Sequence, residues 1–381
     1  MNSFISGRSM GKEPPRQTLA RRIVSPTLVV MFACMLYLAA ILIPTGGDPT
    51  ALVLMGTRYS QNDPAGTEGY DGQFAYQIAL RPLNAAPYLD VPAYRYQRIL
   101  YPMAARLLAF GQAAFIPWTL ILVNLLAIGG GTWATEQILL QLGVNRWYAL
   151  GYGLYGGLML GLRADLNEPL AHALIQLAIL AWAKERRVWA VAGFGLAALT
   201  KETTLVFLAA YLLFSLLQRS WRWVVGLFVG ILPFLFYQLV LWYRLGSPGV
   251  GSGGAGATSF SIIPLGGWTA IADTSWPAFL LISLVVVPMS ILPSLVGIWM
   301  SLQRLISGMR HPLVLSLLLN SLVILFLPVS TFREPVAMMR LTMGLVASML
   351  LFGGLVKSRR VLLYSQLWIL TNVLLLKGTG G

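Results

Sequence analysis

The chain has 381 residues, of which 57% are hydrophobic and 10% are charged. A soluble protein of this size could not bury that much apolar surface, so the composition excludes a water-soluble enzyme and predicts an integral membrane protein. The net charge of +14 does not indicate a nucleic-acid partner, because the basic residues form short clusters between apolar runs, as in membrane proteins.

The apolar runs predict the fold class and the domain organisation. Residues 1–22 are basic and predict a cytoplasmic N-terminal tail. Residues 23–44 form a run of about 20 residues, which is long enough to cross a bilayer and too long for a cleaved signal peptide. Ten further apolar runs follow, at roughly 115–140, 147–162, 169–183, 188–200, 204–217, 223–243, 276–302, 312–329, 337–356 and 361–376. The sequence therefore predicts an all-α polytopic protein of about eleven transmembrane helices, with residues 23–377 as one transmembrane domain.

Charge gives the predicted orientation. With the N-terminus in the cytoplasm, 16 of the 27 Lys and Arg residues fall on the inner side, mostly beside helix ends. Only Glu13, Glu136 and Glu185 of the thirteen carboxylates fall inside, so the other ten face outward or into an outward cavity. Because Asp and Glu contribute little to topology, this bias indicates chemistry on the outer face.

The first outer loop, residues 45–114, is the longest polar interval, and its segment 68–106 combines carboxylates, arginines and tyrosines. Aromatic rings stack on sugar faces and guanidinium groups fork onto oxyanions, so this mixture suits sugar and phosphate recognition. Apolar residues recur at helical spacing from Arg95 to Phe110 and predict a helix on the membrane surface, with arginine stems reaching toward phosphate depth. A solvated loop with interfacial tyrosines is the alternative.

A second charged segment joins the third and fourth apolar runs. It contains Arg163, Asp165 and Glu168, followed by Pro169. If a helix begins here, the two carboxylates lie three residues apart on one face. An ordinary helix N-terminus explains one carboxylate but leaves Arg163 and the other carboxylate unexplained.

A third segment contains Lys201 and Glu202 between two short apolar runs, 188–200 and 204–217. Each run reaches only about 20 Å, short of the ~30 Å hydrocarbon core, so the turn is expected to stop within the membrane. An ionisable pair at that depth is a functional candidate, and a self-neutralising ion pair is the alternative.

Two outer segments remain. Arg333 and Arg340 lie seven residues apart, so both side chains can point the same way if the segment is helical. The loop 244–275 is rich in glycine and lacks the pattern of a nucleotide-binding loop. A flexible loop is expected there, and a mobile lid over a site is the alternative.

Cysteine and histidine are scarce. Cys34 is the single cysteine and lies in the first apolar run, which excludes a disulfide framework and a metal–thiolate site. His172 and His311 are far apart and have no partner at metal-ligand spacing, so no metal site is predicted.

Three short motifs resemble those of GT-C type membrane glycosyltransferases, most closely the bacterial relatives of the GPI mannosyltransferase II branch. The motif YDGQFAYQIA at 70–79 lies in the first outer loop, as in that branch. The stretches RYQRILYP at 95–102 and LTKET at 199–203 are similar to further segments of bacterial members. Many members carry two adjacent acidic residues in this loop, whereas Asp71 is followed by Gly72, so a requirement for a divalent cation stays open.

The resemblance implies transfer of a sugar from a polyprenyl-phosphate carrier to an acceptor hydroxyl at the outer face of a bacterial inner membrane, with inversion. The acceptor would be a glycan, lipid or protein of the cell envelope, and no other cofactor is implied. Asp71 would be the general base. The candidates for the donor phosphate are Lys201, Arg333, Arg340, Arg95 and Arg98. The acceptor-binding or supporting candidates are Glu68, Tyr70, Gln73, Arg163, Asp165, Glu168 and Glu202. The alternative is a transporter or flippase for a lipid-linked sugar, without a chemical step.

Overall fold

A computed structural model describes residues 24–375, and all regular elements within that range are helical. The predicted all-α class is therefore confirmed for this range, while the predicted tail at 1–22 lies outside it. The α-helices of eight or more residues are α1 (Pro26–Leu42), α2 (Gly72–Leu80), α3 (Leu100–Leu108), α4 (Ile116–Gln141), α5 (Gly156–Arg163), α6 (Glu168–Ala183), α7 (Arg187–Thr200), α8 (Leu205–Leu217), α9 (Trp221–Leu245), α10 (Gly266–Thr274), α11 (Trp276–Val286), α12 (Leu292–Ile306), α13 (Pro312–Leu325), α14 (Pro335–Leu355) and α15 (Arg359–Leu367).

Four stretches of helix are long and apolar enough to cross a membrane: Ala113–Gln141, Trp221–Leu245, Trp276–Ile306 and Pro335–Leu355. They support the prediction of a membrane protein. The shorter apolar helices are Pro26–Leu42, Glu168–Ala183, Arg187–Thr200, Glu202–Leu217 and Pro312–Leu325.

Burial separates central from peripheral helices. In the most apolar 18-residue stretch of α14, 78% is buried within the protein, whereas 28% of the corresponding stretch of α9 is buried. Large apolar side chains of α9 remain uncovered by protein, among them Phe236 at 67% exposure and Leu239 at 60%. Such a contiguous apolar surface is what a lipid-facing helix presents. Because α14 is central, a polar side chain near its start, such as Arg340, lies in the interior of the bundle.

The long first loop folds differently from its prediction. In place of one surface helix over 95–110, the structure has a short helix Pro92–Tyr96, a turn at 97–99 and then α3. The turn directs Arg95 and Arg98 into the protein, where they are only 8% and 6% exposed, so the expected snorkelling of these arginines is wrong. Arg106 instead donates to the carbonyl oxygens of Ala79 and Leu80, where it caps the end of α2.

Two other features of the connections position the site. The short α7 and α8 are joined by a tight turn at Glu202–Thr204, and Lys201 beside it is buried in protein, with 2% exposure. The expected depth of this turn within the membrane stays a prediction. The loop 244–275 is partly helical, because it contains α10. The expectation of a wholly flexible segment is wrong for this part.

Candidate functional site

Asp71 lies at the centre of a buried cluster of charged side chains, which we call the ion network. The network consists of Asp71, Asp90, Arg95, Arg98, Glu168, Lys201, Glu202 and Arg340. Arg95 Nη2 lies 3.0 Å from Asp71 Oδ1, and Arg340 Nη1 lies 2.6 Å from Asp71 Oδ2. The Asp71 side chain is 26% exposed, compared with 8% for Arg95 and 11% for Arg340. The carboxylate is thus the most accessible of these three groups.

The two arginines determine the charge state of Asp71. Burial alone would raise the pKa of this carboxyl, but Arg95 and Arg340 outweigh burial and hold the pKa well below its usual range. Asp71 is therefore ionised at neutral pH. A carboxylate held by two guanidinium groups is a weak base, and it becomes a stronger one only when one of those cations moves away.

Glu168, the first residue of α6, connects the network to the buried turn. Its Oε1 atom accepts from Arg340 Nε at 2.6 Å and from Lys201 Nζ at 2.5 Å, and the residue is fully buried. Lys201 therefore pairs with Glu168 rather than with its sequence neighbour Glu202. Buried ions of opposite charge at this distance compensate each other's loss of hydration.

Glu202 has its own partner. Arg98 binds it with two donors, Nη2 at 2.5 Å from Oε1 and Nε at 2.9 Å from Oε2. Arg98 Nη2 also donates to the Tyr94 hydroxyl at 2.6 Å, and the guanidinium carbon lies 4.1 Å from the centre of the Tyr94 ring. This stacked, bidentate geometry fixes the arginine beside the cavity described below.

The glycine-rich loop is attached to the network through Asp90. Asp90 binds Arg95 with both oxygens at 2.7 Å, and its Oδ2 atom also accepts from the backbone N–H of Ala255 at 2.9 Å. Gly249 packs against Gln97, where a Cβ at position 249 would lie 2.6 Å from the Gln97 Cβ. The loop therefore covers one side of the network and would respond to any movement of Arg95.

Asp165 is unlike the other carboxylates of the site. It is fully buried, and neither of its oxygens has a hydrogen-bond partner among the described residues. Its backbone has φ of +47°, a left-handed conformation that is uncommon outside glycine and concentrates at functional sites. Burial without a partner raises the pKa of Asp165 well above its usual range and so favours the neutral form of this carboxyl.

Asp165 and Asp71 line one small cavity of about 30 Å³. The same cavity is lined by Arg95, Arg98 and Arg340, whereas Lys201 does not reach it. The volume holds roughly two water molecules. Two carboxyl groups and three guanidinium groups therefore line one small, partly open cavity, together with apolar side chains such as Phe74 and Ile78. Carboxyl groups whose pKa values are pushed apart in this way are typical of acid–base sites.

We expect the Asp165→Asn variant to lose a pH dependence of stability that the wild type shows. An unfolded Asp loses its proton near pH 4, whereas buried Asp165 keeps it to a much higher pH. In that window the folded protein binds one proton more than the unfolded chain, so wild-type stability falls as pH rises, by about 1.4 kcal/mol per pH unit. Melting temperatures measured from pH 5 to pH 8 should show a widening advantage for the Asn variant.

The exposed Asp273 provides the matched control, because Asp273→Asn removes a carboxylate that lies in solvent. Its melting curve should run parallel to that of the wild type. Parallel curves for Asp165→Asn as well would show that Asp165 is ionised in the folded protein.

Six of the predicted site residues are not members of the ion network: Asp165, which lines its cavity, Tyr70, which lies beside it, and the four residues Glu68, Gln73, Arg163 and Arg333. Glu68 is 74% exposed at its side chain and pairs with Arg58 at the surface. Gln73 is buried and fastens the loop, accepting from the Gly56 N–H at 3.1 Å and donating to the Glu68 carbonyl at 2.7 Å. Arg163 makes a 3.4 Å hydrogen bond to the Ala51 carbonyl. Arg333 is exposed and forms no ion pair among the described residues.

Tyr70 is adjacent to the network, since its ring centre lies 5.7 Å from the guanidinium carbon of Arg340. Two contributors, Asp90 and Phe74, are not among the residues predicted from the sequence. Asp90 pairs with Arg95, and the Phe74 ring lies under the same guanidinium group at 4.2 Å. Phe74 belongs to the motif at 70–79, so the motif itself was the available signal.

No family model, curated protein or solved structure matches this chain. Within residues 24–375, no three His, Cys, Asp or Glu side chains lie close enough together to hold a metal ion. The features of the described residues that bear on function are the ion network around Asp71 and the cavity that it lines.

Proposed function

We propose that this protein is a membrane glycosyltransferase of the GT-C type, which transfers a sugar from a polyprenyl-phosphate carrier to an acceptor hydroxyl. The observation that carries the proposal is the group of cations, Arg95, Arg98 and Arg340, around the partly exposed carboxylate of Asp71. Phosphate departure requires preorganised positive charge, and hydroxyl attack requires a proton acceptor. The cavity provides both.

The step balances with these groups alone. The acceptor oxygen forms a bond to the anomeric carbon, and the bond from that carbon to the phosphate oxygen breaks. The phosphate leaves with the electron pair and is stabilised by the arginines, while the hydroxyl proton passes to Asp71. Attack from the face opposite the phosphate gives inversion.

Donor binding would also activate the base. A phosphate that enters the cavity competes with Asp71 for Arg340 and Arg95, because both oxyanions need the same donors. As an arginine turns toward phosphate, the pKa of Asp71 rises from its low resting value toward that of a useful base. Asp71 would then be basic enough to take the acceptor proton only when the donor is bound.

The cavity also accounts for Gly72, where related sequences carry a second acidic residue. Gly72 packs so closely on the Ala164 carbonyl that a side chain at position 72 has no room. A Cβ placed there would lie 3.3 Å from the Cβ of Asp165. Asp165 thus brings a second carboxyl group near the position of the missing one, and it would hydrogen-bond a hydroxyl of the bound sugar or acceptor.

The proposal includes an orientation, with about eleven transmembrane helices, the N-terminus inside and the ion network toward the outer face of the bacterial inner membrane. We expect an impermeant thiol reagent added outside to label Gln61→Cys and not Gln218→Cys, both placed in a Cys34→Ser background. Both glutamines are exposed, and Cys34 is buried. Labelling of Gln218→Cys alone would invert the topology and remove the site from the outer face.

The direct test supplies membranes containing the protein with polyprenyl-phosphate carrying labelled mannose, because the resemblance is to mannosyltransferases. Label appearing on a glycan, lipid or protein acceptor supports the proposal. A transporter or flippase would use the same buried cations without a chemical step. Movement of the intact donor across the membrane, with no label on any acceptor, would overturn the transferase and establish the transporter.

A further inference from the structure

A second cavity lies between α12 and α15, with Met349 of α14 at its base. Its volume is about 440 Å³, and its walls are mainly apolar, including Leu292, Val296 and Trp299. Trp299 is 59% exposed and Leu292 is 49% exposed, so the groove is open along α12. We call it the α12–α15 groove.

The groove is separate from the ion network. It is lined by Ser358 and Arg360, which follow the end of α14, whereas Arg340 stands near the start of that helix. Met349, the residue of α14 that lines the groove, lies nine residues beyond Arg340, which is about 13.5 Å at helical rise. A ligand in the groove therefore does not contact the carboxylate and arginines of the proposed active site.

The wall formed by α15 is held in place by two hydrogen bonds. The Tyr364 hydroxyl donates to the Pro288 carbonyl at 2.7 Å, and Trp368 Nε1 donates to the Met289 carbonyl at 2.8 Å. Both carbonyls belong to the π-helical segment Val287–Ile291. The groove is thus a preformed feature.

One end of the groove is cationic. Arg360 lines it, is exposed, and forms no ion pair among the described residues. Lys357 and Arg359 flank it, and no carboxylate lines the groove. Arg360 also lies in the first turn of α15, where the helix dipole is positive and the Ser358 hydroxyl accepts from the Val361 N–H. Apolar walls with a cationic end complement an anionic amphiphile.

The side chains of residues 1–23 and 376–381 do not complement this groove. Residues 1–23 contain five Lys or Arg residues and one Glu, and Lys377 is the one charged side chain of residues 376–381. Neither segment offers Arg360 a net negative side-chain charge. The helix that forms one wall lies in the apolar stretch Trp276–Ile306, which is long enough to cross a membrane, so lipid is the surrounding medium.

We propose that the α12–α15 groove binds one anionic phospholipid. An acyl chain lies along Val296 and Trp299, and the phosphate binds Arg360 beside the positive end of the α15 dipole. Basic pockets between membrane helices hold anionic headgroups by this combination of charge and apolar contact. The site is independent of sugar transfer, and its occupant would anchor α15 to α12.

The test uses the full-length protein in mild detergent, titrated with phosphatidylglycerol or with phosphatidylcholine of identical chains and observed by native mass spectrometry. We expect the wild type to retain one phosphatidylglycerol and to bind phosphatidylcholine at least tenfold more weakly. Arg360→Ala should weaken phosphatidylglycerol binding about tenfold, since a charge-assisted pair to phosphate is lost. Val296→Trp, which fills the groove, should weaken binding of both lipids.

Arg310→Ala is the matched control, because Arg310 is an exposed arginine that does not line the groove. It should bind phosphatidylglycerol as the wild type does. Equal loss in Arg310→Ala and Arg360→Ala would show nonspecific attraction to a basic surface and would overturn the site. Equal retention of both lipids by the wild type, or unchanged binding by Arg360→Ala, would also overturn it. Arg360 is at the surface, so its variant decides the question even if Val296→Trp fails to fold.

Discussion

Asp71→Asn is expected to reduce sugar transfer by about 10²–10⁴-fold while the protein still folds and binds its lipid-linked donor. The amide keeps the shape of the side chain and accepts one hydrogen bond, but it cannot take the acceptor proton. It also releases Arg95 and Arg340 from a negative charge. Donor binding should therefore be kept or strengthened while the rate falls. The measurement is transfer from polyprenyl-phosphate mannose in membranes with equal amounts of each variant, together with donor binding.

Glu68→Gln is the control for this prediction. It removes a carboxylate three residues earlier whose side chain is 74% exposed and paired only with surface Arg58. Its transfer rate should stay near that of the wild type. If Asp71→Asn also transferred at a near-normal rate, Asp71 would not be the base, and Asp165 would be the next candidate because it lines the same cavity.

The sequence predicted the helical class and a turn at Lys201 because both depend on local quantities. Run length and hydropathy placed Lys201 between two short helices, and the structure has a turn there with Lys201 buried in protein. The partners of Lys201 could not be predicted in the same way. Glu168 lies 33 residues away, and the Arg340–Asp71 pair joins residues 269 apart. Such pairs depend on how α6, α7 and α14 pack, which hydropathy does not encode.

The burial of Arg95 and Arg98 in the first loop also could not be predicted from local sequence. Apolar residues at helical spacing predicted one amphipathic helix with Arg95 and Arg98 on its polar face. A turn at 97–99 interrupts that helix, and both side chains enter the protein to meet Asp71 and Glu202. Periodicity detects helical segments, but it does not detect a turn of three residues that redirects the side chains.

Substitutions at Lys201 and Glu168 are expected to change the free energy of unfolding more than they change sugar transfer. Lys201→Ala should destabilise the protein by up to about 3–5 kcal/mol, because it leaves a fully buried carboxylate with Arg340 as its remaining cation. Glu168→Gln should offset part of that loss in the double variant, since the carboxylate that lost a cation is then absent. The coupling should be about 0.5–3 kcal/mol, measured as unfolding free energies of the two single variants and the double variant in detergent.

Glu202 provides the control cycle, because it is adjacent to Lys201 in sequence but binds Arg98. Lys201→Ala and Glu202→Gln should therefore be nearly additive in stability. Lys201→Arg should recover part of the stability, since it restores the charge beside Glu168. If Glu202→Gln rescued Lys201→Ala and Glu168→Gln did not, the pairing across α6 and the α7–α8 turn would be wrong. If Lys201→Ala folded normally but bound donor weakly, Lys201 would contact the phosphate directly, and the cavity would have to open toward it when donor binds.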